Sequence, residues 1–177
     1  MKKTWIMIAV ALILAGVAFA DQFGHIRTSA LPSEEAPKRG YLAPVFELPM
    51  LGGGTFKLER GEQDKAMILN FWASWCEPCK AEAPFLLEMQ KKYGEQVTIY
   101  GVNGTEFDTM EGIEQFIEEF QISYPILLDE SSMVFDQYQV QGFPTTVFID
   151  RRGVIQEIMI GLPGNDDFER KVKRVVR

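Results

Sequence analysis

Cysteine and histidine are the scarce residues of this chain. Its 177 residues include two cysteines, Cys76 and Cys79, and one histidine, His25. A single bridge across so short a loop removes little entropy from the unfolded chain, which excludes a disulfide-stapled scaffold. Two cysteines and one histidine also fall short of the four ligands of a structural zinc centre. His25 is far in sequence from the cysteines, which argues against a Cys–His catalytic pair. Cations are in deficit as well: 18 Lys and Arg stand against 25 Asp and Glu, a formal charge of -7. An acidic chain repels phosphate backbones, so nucleic acid is not an expected partner. There are no internal repeats.

Apolar material is ample. The chain is 46% hydrophobic and has 13 phenylalanines, enough for a core without cross-links. Lys2 and Lys3 precede an uncharged run from Trp5 to Ala20. A basic start before an apolar stretch leaves the lysines in the cytoplasm and sends the chain beyond Ala20 outside. Residues 1–20 are therefore expected to be either a signal-anchor or a signal peptide cut near Ala18-Phe19-Ala20. As a helix, the apolar run would rise about 24 Å, somewhat less than the bilayer core. Either fate places the domain on the extracytoplasmic side, where a dithiol needs a supply of electrons to stay reduced. Arg170, Lys171, Lys173, Arg174 and Arg177 form a basic run that complements the end of a C-terminal helix.

Residues 21–43, broken by Pro32, Pro37 and charged residues, read as a tether, and residues 44–177 as the domain. Val45–Leu48 and Thr55–Leu58 flank Gly52-Gly53-Gly54, a hairpin pattern. Ala66–Trp72 is a nearly unbroken apolar run, as in a buried central strand. A helix is expected from Glu77 to Tyr93 and a strand from Val97 to Val102. Met110, Ile113, Phe116, Ile117 and Phe120 recur at helical spacing. Pro125–Leu128 reads as a short strand and Ser132–Tyr138 as a short helix. Thr145–Ile149 and Val154–Ile160 read as a second hairpin, succeeded by a helix capped at Asn165. This order predicts an α/β fold with a mixed sheet covered by helices.

The segment Trp72-Ala73-Ser74-Trp75-Cys76-Glu77-Pro78-Cys79-Lys80 carries the chemistry. Haem attachment requires His after the second cysteine, where Lys80 stands, and zinc lacks partners. Redox use remains. Between a strand and a helix, Cys76 falls at the helix N-terminus, where free N–H groups and the dipole favour a thiolate. Pro78 suits the first helical turn, which does not need its missing N–H. Glu82 comes three residues after Cys79, about one turn along on nearly the same face, and could take a proton from it. Glu77 places a negative charge beside Cys76, which opposes the thiolate and disfavours a strong oxidant.

Trp75-Cys76-x-Pro78-Cys79-Lys80 after an apolar strand resembles the thioredoxin superfamily, as do Pro84 within the helix and Gly142-Phe143-Pro144-Thr145-Thr146. The Cys-Glu-Pro-Cys-Lys core, the N-terminal segment and Val102-Asn103-Gly104-Thr105-Glu106 are more narrowly similar to the ResA/TlpA branch of anchored thiol-disulfide oxidoreductases. The resemblance implies a thioredoxin fold with an N-terminal β-hairpin and an inserted strand-helix element. It implies a cis Pro144 facing the disulfide, with Phe143 and Thr145 contacting the substrate strand and Trp75 covering the cysteines. Thioredoxin carries a buried Asp where this chain has Asn70, which cannot titrate; in the ResA branch a Glu matching Glu82 takes that role.

The function expected is reduction of protein disulfides without a cofactor or metal. Apocytochrome c is a candidate substrate, and a membrane electron donor restores the dithiol. The alternatives are a thiol peroxidase, whose Pro-x-x-x-Thr-x-x-Cys setting is missing, and a redox-inert or copper-binding module.

Overall fold

The computed structural model describes residues 32–162 and 164–176. The basic and apolar N-terminal segment, its cleavage site and His25 lie outside them. No helix among the described residues is long and apolar enough to cross a membrane.

A hairpin leads the fold. β1 (Phe46–Pro49) and β2 (Thr55–Leu58) pair antiparallel. Gly52, Gly53 and Gly54 connect them with φ of 89°, 106° and 85°, a left-handed path that glycine adopts without a Cβ penalty.

Five further strands form the central sheet: β3 (Ala66–Trp72), β4 (Val97–Asn103), β5 (Ile126–Leu128), β6 (Thr145–Ile149) and β7 (Ile155–Ile160). Their order is β5-β4-β3-β6-β7. β3, β4 and β5 run parallel, β6 runs antiparallel to β3, and β7 runs antiparallel to β6, so the sheet is mixed. The central β3 is buried along its whole length, as its apolar run requires.

The helices are α1 (Glu77–Tyr93), α2 (Met110–Phe120), α3 (Met133–Gln137) and α4 (Asn165–Val175). α2, β5 and α3 lie between β4 and Pro144. α4 has its N-cap at Gly164, one residue ahead of the expected Asn165.

Alternation along β3 and β6 divides the core in two. Ile68 and Phe148 face a layer with Leu86, Met89, Phe116, Phe168 and Val172 from α1, α2 and α4. Met67, Leu69, Phe71, Val147 and Ile149 face Phe46, Leu58, Phe135 and Tyr138 from the hairpin and α3. Edge-to-face rings tie each layer: Phe148 to Phe168 at 5.2 Å and Phe71 to Phe135 at 5.1 Å.

The end of the expected tether is bound to the domain. Leu42 bridges Val154, Glu35 bridges Leu42, and the Gly40 N–H donates to the Ile155 carbonyl at 2.8 Å. Ala43 is buried. Residues from Pro32 onward thus belong to one compact unit. Prolines and charges erase side-chain periodicity, but backbone pairing does not depend on it.

Candidate active site

β3 delivers the chain into a tight turn at Ala73–Trp75, and α1 begins directly after Cys76. Cys76 is the N-cap, extended at φ -81° and ψ 106°, and its sulfur accepts the Cys79 N–H at 3.1 Å. Glu77 and Pro78 occupy the first turn, and Pro84 lies inside the helix. Cys76 and Cys79 are joined as a disulfide with Cα atoms 5.2 Å apart. Both residues are nearly covered, at 4% and 3% exposed. The Phe143–Pro144 peptide is cis.

Glu82 lies in the core. It is 1% exposed, an unusual position for a carboxyl group. Asn70 on β3 donates through Nδ2 to Glu82 Oε2 at 2.8 Å and to Thr146 Oγ1 at 3.1 Å. Thr146 Oγ1 in turn lies 3.5 Å from Glu82 Oε1 and donates to it. Burial pushes the Glu82 carboxyl up to about 7, and the Asn70 and Thr146 donors pull partly against that rise. A carboxyl poised there exchanges protons readily near neutral pH.

The other expected site residues occupy distinct places. Trp75 is 57% exposed; its Nε1–H donates to the Phe107 carbonyl at 2.8 Å, and its ring meets Phe143 edge-on at 5.6 Å. Glu77 points to solvent and is paired with Lys80 Nζ at 2.6 Å, so a cation offsets part of its charge near Cys76. The Thr145 hydroxyl is turned inward and donates to the Gly142 carbonyl at 2.7 Å, fastening the loop before β6. Trp75, Cys76 and Pro78 line an apolar groove of about 620 Å³ together with Phe107, Phe135 and Phe143.

Three polar residues that surround this site were not singled out in the sequence. Thr146 completes the Glu82 cluster. Asp108 accepts the Ser74 N–H at 2.6 Å and Asn103 Nδ2 at 2.9 Å. Asp129, fully buried, accepts the Val134 and Phe135 N–H groups, each at 2.9 Å, and so sets α3 and the Phe135 wall of the groove. The cap of α2 did have a local signal: Thr109 stands directly before the apolar stripe. Thr109 accepts the Gly112 N–H at 3.1 Å.

Residues 40–158 match the AhpC/TSA family. The chain is 31% identical over 173 residues to the thioredoxin-like protein YneN of Bacillus subtilis, covering 97% of this chain and 98% of that one. It is 32% identical over 165 residues to the thiol-disulfide oxidoreductase ResA of Geobacillus kaustophilus, covering 93% and 90%. A structure assigned as the thiol:disulfide interchange protein DsbE of Chlorobium tepidum superposes with a TM-score of 0.68 at 27% identity, covering 77% of this chain and 96% of its own. This chain carries a bonded Cys-x-x-Cys pair at a helix N-terminus beside a mixed five-stranded sheet. The chain belongs to the AhpC/TSA family of thioredoxin-like proteins and is a thiol-disulfide oxidoreductase of the ResA/DsbE type.

Proposed function

We propose that this chain is a membrane-tethered, extracytoplasmic reductant of protein disulfides, with Cys76 as nucleophile, Cys79 as resolving thiol and Glu82 as proton acceptor. The observation that carries the proposal is the buried Glu82 carboxyl, one helical turn past Cys79 and poised at about 7. Near neutrality it can take a proton and give it back.

In the reduced protein the Cys76 thiolate attacks one sulfur of a substrate disulfide. The substrate S–S bond breaks, a mixed disulfide forms, and the first substrate sulfur leaves as a thiolate. Cys79 then loses its proton to Glu82 and attacks the Cys76 sulfur. The second substrate sulfur leaves, and Cys76–Cys79 closes. Two electrons have passed to the substrate. A membrane dithiol donor reopens the pair by the same exchange in reverse.

Phe143 and the cis Pro144 form the wall against which a substrate segment lies, and Trp75 supplies an exposed apolar contact. The Thr145 side chain acts by holding the loop. Export and tethering rest on Lys2, Lys3 and the apolar run to Ala20. Apocytochrome c, during cytochrome c maturation, is the substrate proposed from the ResA likeness.

Trapping tests this reading. Full-length Cys79→Ser expressed in cells should accumulate mixed disulfides on Cys76, identifiable by mass spectrometry. Partners with exported domains support the proposal, and apocytochrome c among them supports its finer part. A variant that captures nothing, while remaining folded, contradicts it.

A further inference from the structure

Asp108 stands outside the sulfur chemistry, yet it gathers an unusual set of donors. The Ser74 N–H reaches it at 2.6 Å, Asn103 Nδ2 at 2.9 Å and the Thr109 N–H at 2.8 Å, and the Ser74 hydroxyl adds a further bond. Asn103 is fully buried at the end of β4, and its Oδ1 accepts the Thr105 hydroxyl at 3.1 Å. The carboxylate is thereby anchored to the sheet on one side and to the active-site turn on the other. Burial alone would raise the Asp108 carboxyl; the bonds from Ser74, Asn103 and the backbone outweigh it and hold the group below its usual range. It stays charged at neutral pH, and charge-assisted bonds are the stronger kind.

Two independent features surround this clasp. The residue after Ser74 is Trp75, whose indole N–H is held by the carbonyl of Phe107, the residue before Asp108. Both rings are more than half exposed and both line the groove beside Cys76. On the other side, a Cβ at Gly112 would come within 2.6 Å of Ser74 Oγ, so α2 is packed onto the clasp as closely as glycine permits. None of the bonding partners of Asp108 is a cysteine.

We infer that Asp108 is a positioning residue for protein substrates: by clasping Ser74 to the Phe107 segment it holds Trp75 as a wall of the groove, and so governs recognition of a protein disulfide while leaving the exchange chemistry untouched. This rests on the proposed reduction of protein disulfides. A small disulfide needs only the cysteines. A protein disulfide also needs the rings that flank them.

The test compares two oxidants of the full-length chain: insulin as a protein disulfide, in turnover with dithiothreitol regenerating the dithiol, and 5,5′-dithiobis(2-nitrobenzoate) as a small one, in single turnover with the pre-reduced chain. In Asp108→Asn, KM for insulin should rise about fivefold, the scale of one aromatic contact, with kcat little changed. The rate with the small disulfide should fall by a clearly smaller factor than that with insulin, since none of the bonding partners of Asp108 is a cysteine. Ser74→Ala, which loses only the hydroxyl bond, should show a smaller change of the same kind, and it decides the matter if Asp108→Asn fails to fold. Equal slowing toward both oxidants, or none toward either, overturns the inference. If the wild type itself reduces the small disulfide but not insulin, the protein-disulfide reading falls first and takes the clasp's role with it.

Discussion

Asn70 and Thr146 stand opposite each other in register across β3 and β6, and both aim a donor at the Glu82 carboxylate. A central strand, an antiparallel neighbour and a helix thus meet at one buried acid. Each donor favours the ionised form, while burial favours the neutral one. The balance places proton transfer near pH 7.

Removing one donor should tip that balance. In Thr146→Val the hydroxyl is lost with little change of shape, so Glu82 ionises only at higher pH. Resolution of the mixed disulfide, which needs ionised Glu82, should then rise at higher pH than in the wild type, and Thr146→Ser should restore the original profile. Stopped-flow kinetics between pH 5 and 9 would show it. An unshifted profile would mean that Glu82 does not accept the proton.

The same acid makes stability depend on pH. Its carboxyl ordinarily loses its proton near 4.5 and in the fold does so at about 7. Between those values the unfolded chain has released the proton and the folded one retains it. Stability contributed by this group is therefore full below pH 4.5, falls as pH rises, and is lost above about 7. The loss is on the order of 3 kcal/mol. Glu82→Gln removes this decline, because an amide can accept from Asn70 and donate to Thr146 without charging. Thermal melts of the oxidised protein should show the variant gaining on the wild type from pH 5 to pH 8, while its exchange rate drops. A constant gap across that range would contradict a buried, titrating Glu82.

At the helix mouth, Glu77 and Lys80 act as a pair. Glu77→Gln leaves a cation near Cys76 and should speed alkylation of the reduced thiol by iodoacetamide; Lys80→Ala leaves an anion and should slow it. Both changes should be modest, a few-fold at most, because the pair is solvated. Alkylation rates at low and high salt would separate this electrostatic effect from a change of access.

Gly101 tests the packing behind the motif. A Cβ there would come within 2.8 Å of Ile126 Cδ1, 3.0 Å of Trp72 Nε1 and 3.2 Å of Tyr124 Cε2. Gly101→Ala should cost about 1–3 kcal/mol in urea unfolding, the usual range for overpacking. An unchanged midpoint would show that the β4–β5 edge yields more easily than the contacts imply.

Much of the fold was legible because local patterns carried it. The run Ala66–Trp72, apolar but for Asn70, read as a buried strand, and Cys76-Glu77-Pro78-Cys79 marked the start of α1 to the residue. The Met110–Phe120 stripe marked α2 by spacing alone. What stayed hidden depends on contacts distant in sequence. Thr146 lies 76 positions from Asn70, and no local signal reports their register. Asp108 reads as an ordinary turn acid until Ser74, 34 positions earlier, is brought against it. Residues 34–43 look like a linker because proline and charge break their pattern, yet their backbone pairs with the edge at Val154. Glu82 was visible by spacing, but its burial was not.

The central claim is that Cys76 and Cys79 pass two electrons as one couple. Equilibrating the full-length chain with defined ratios of reduced to oxidised dithiothreitol, and counting free thiols by mass after alkylation, tests it directly. Both thiols should appear together, as a single two-electron transition of about 30 mV per tenfold change in ratio. A pair that stays bridged at every ratio, or thiols that appear one at a time, would contradict it.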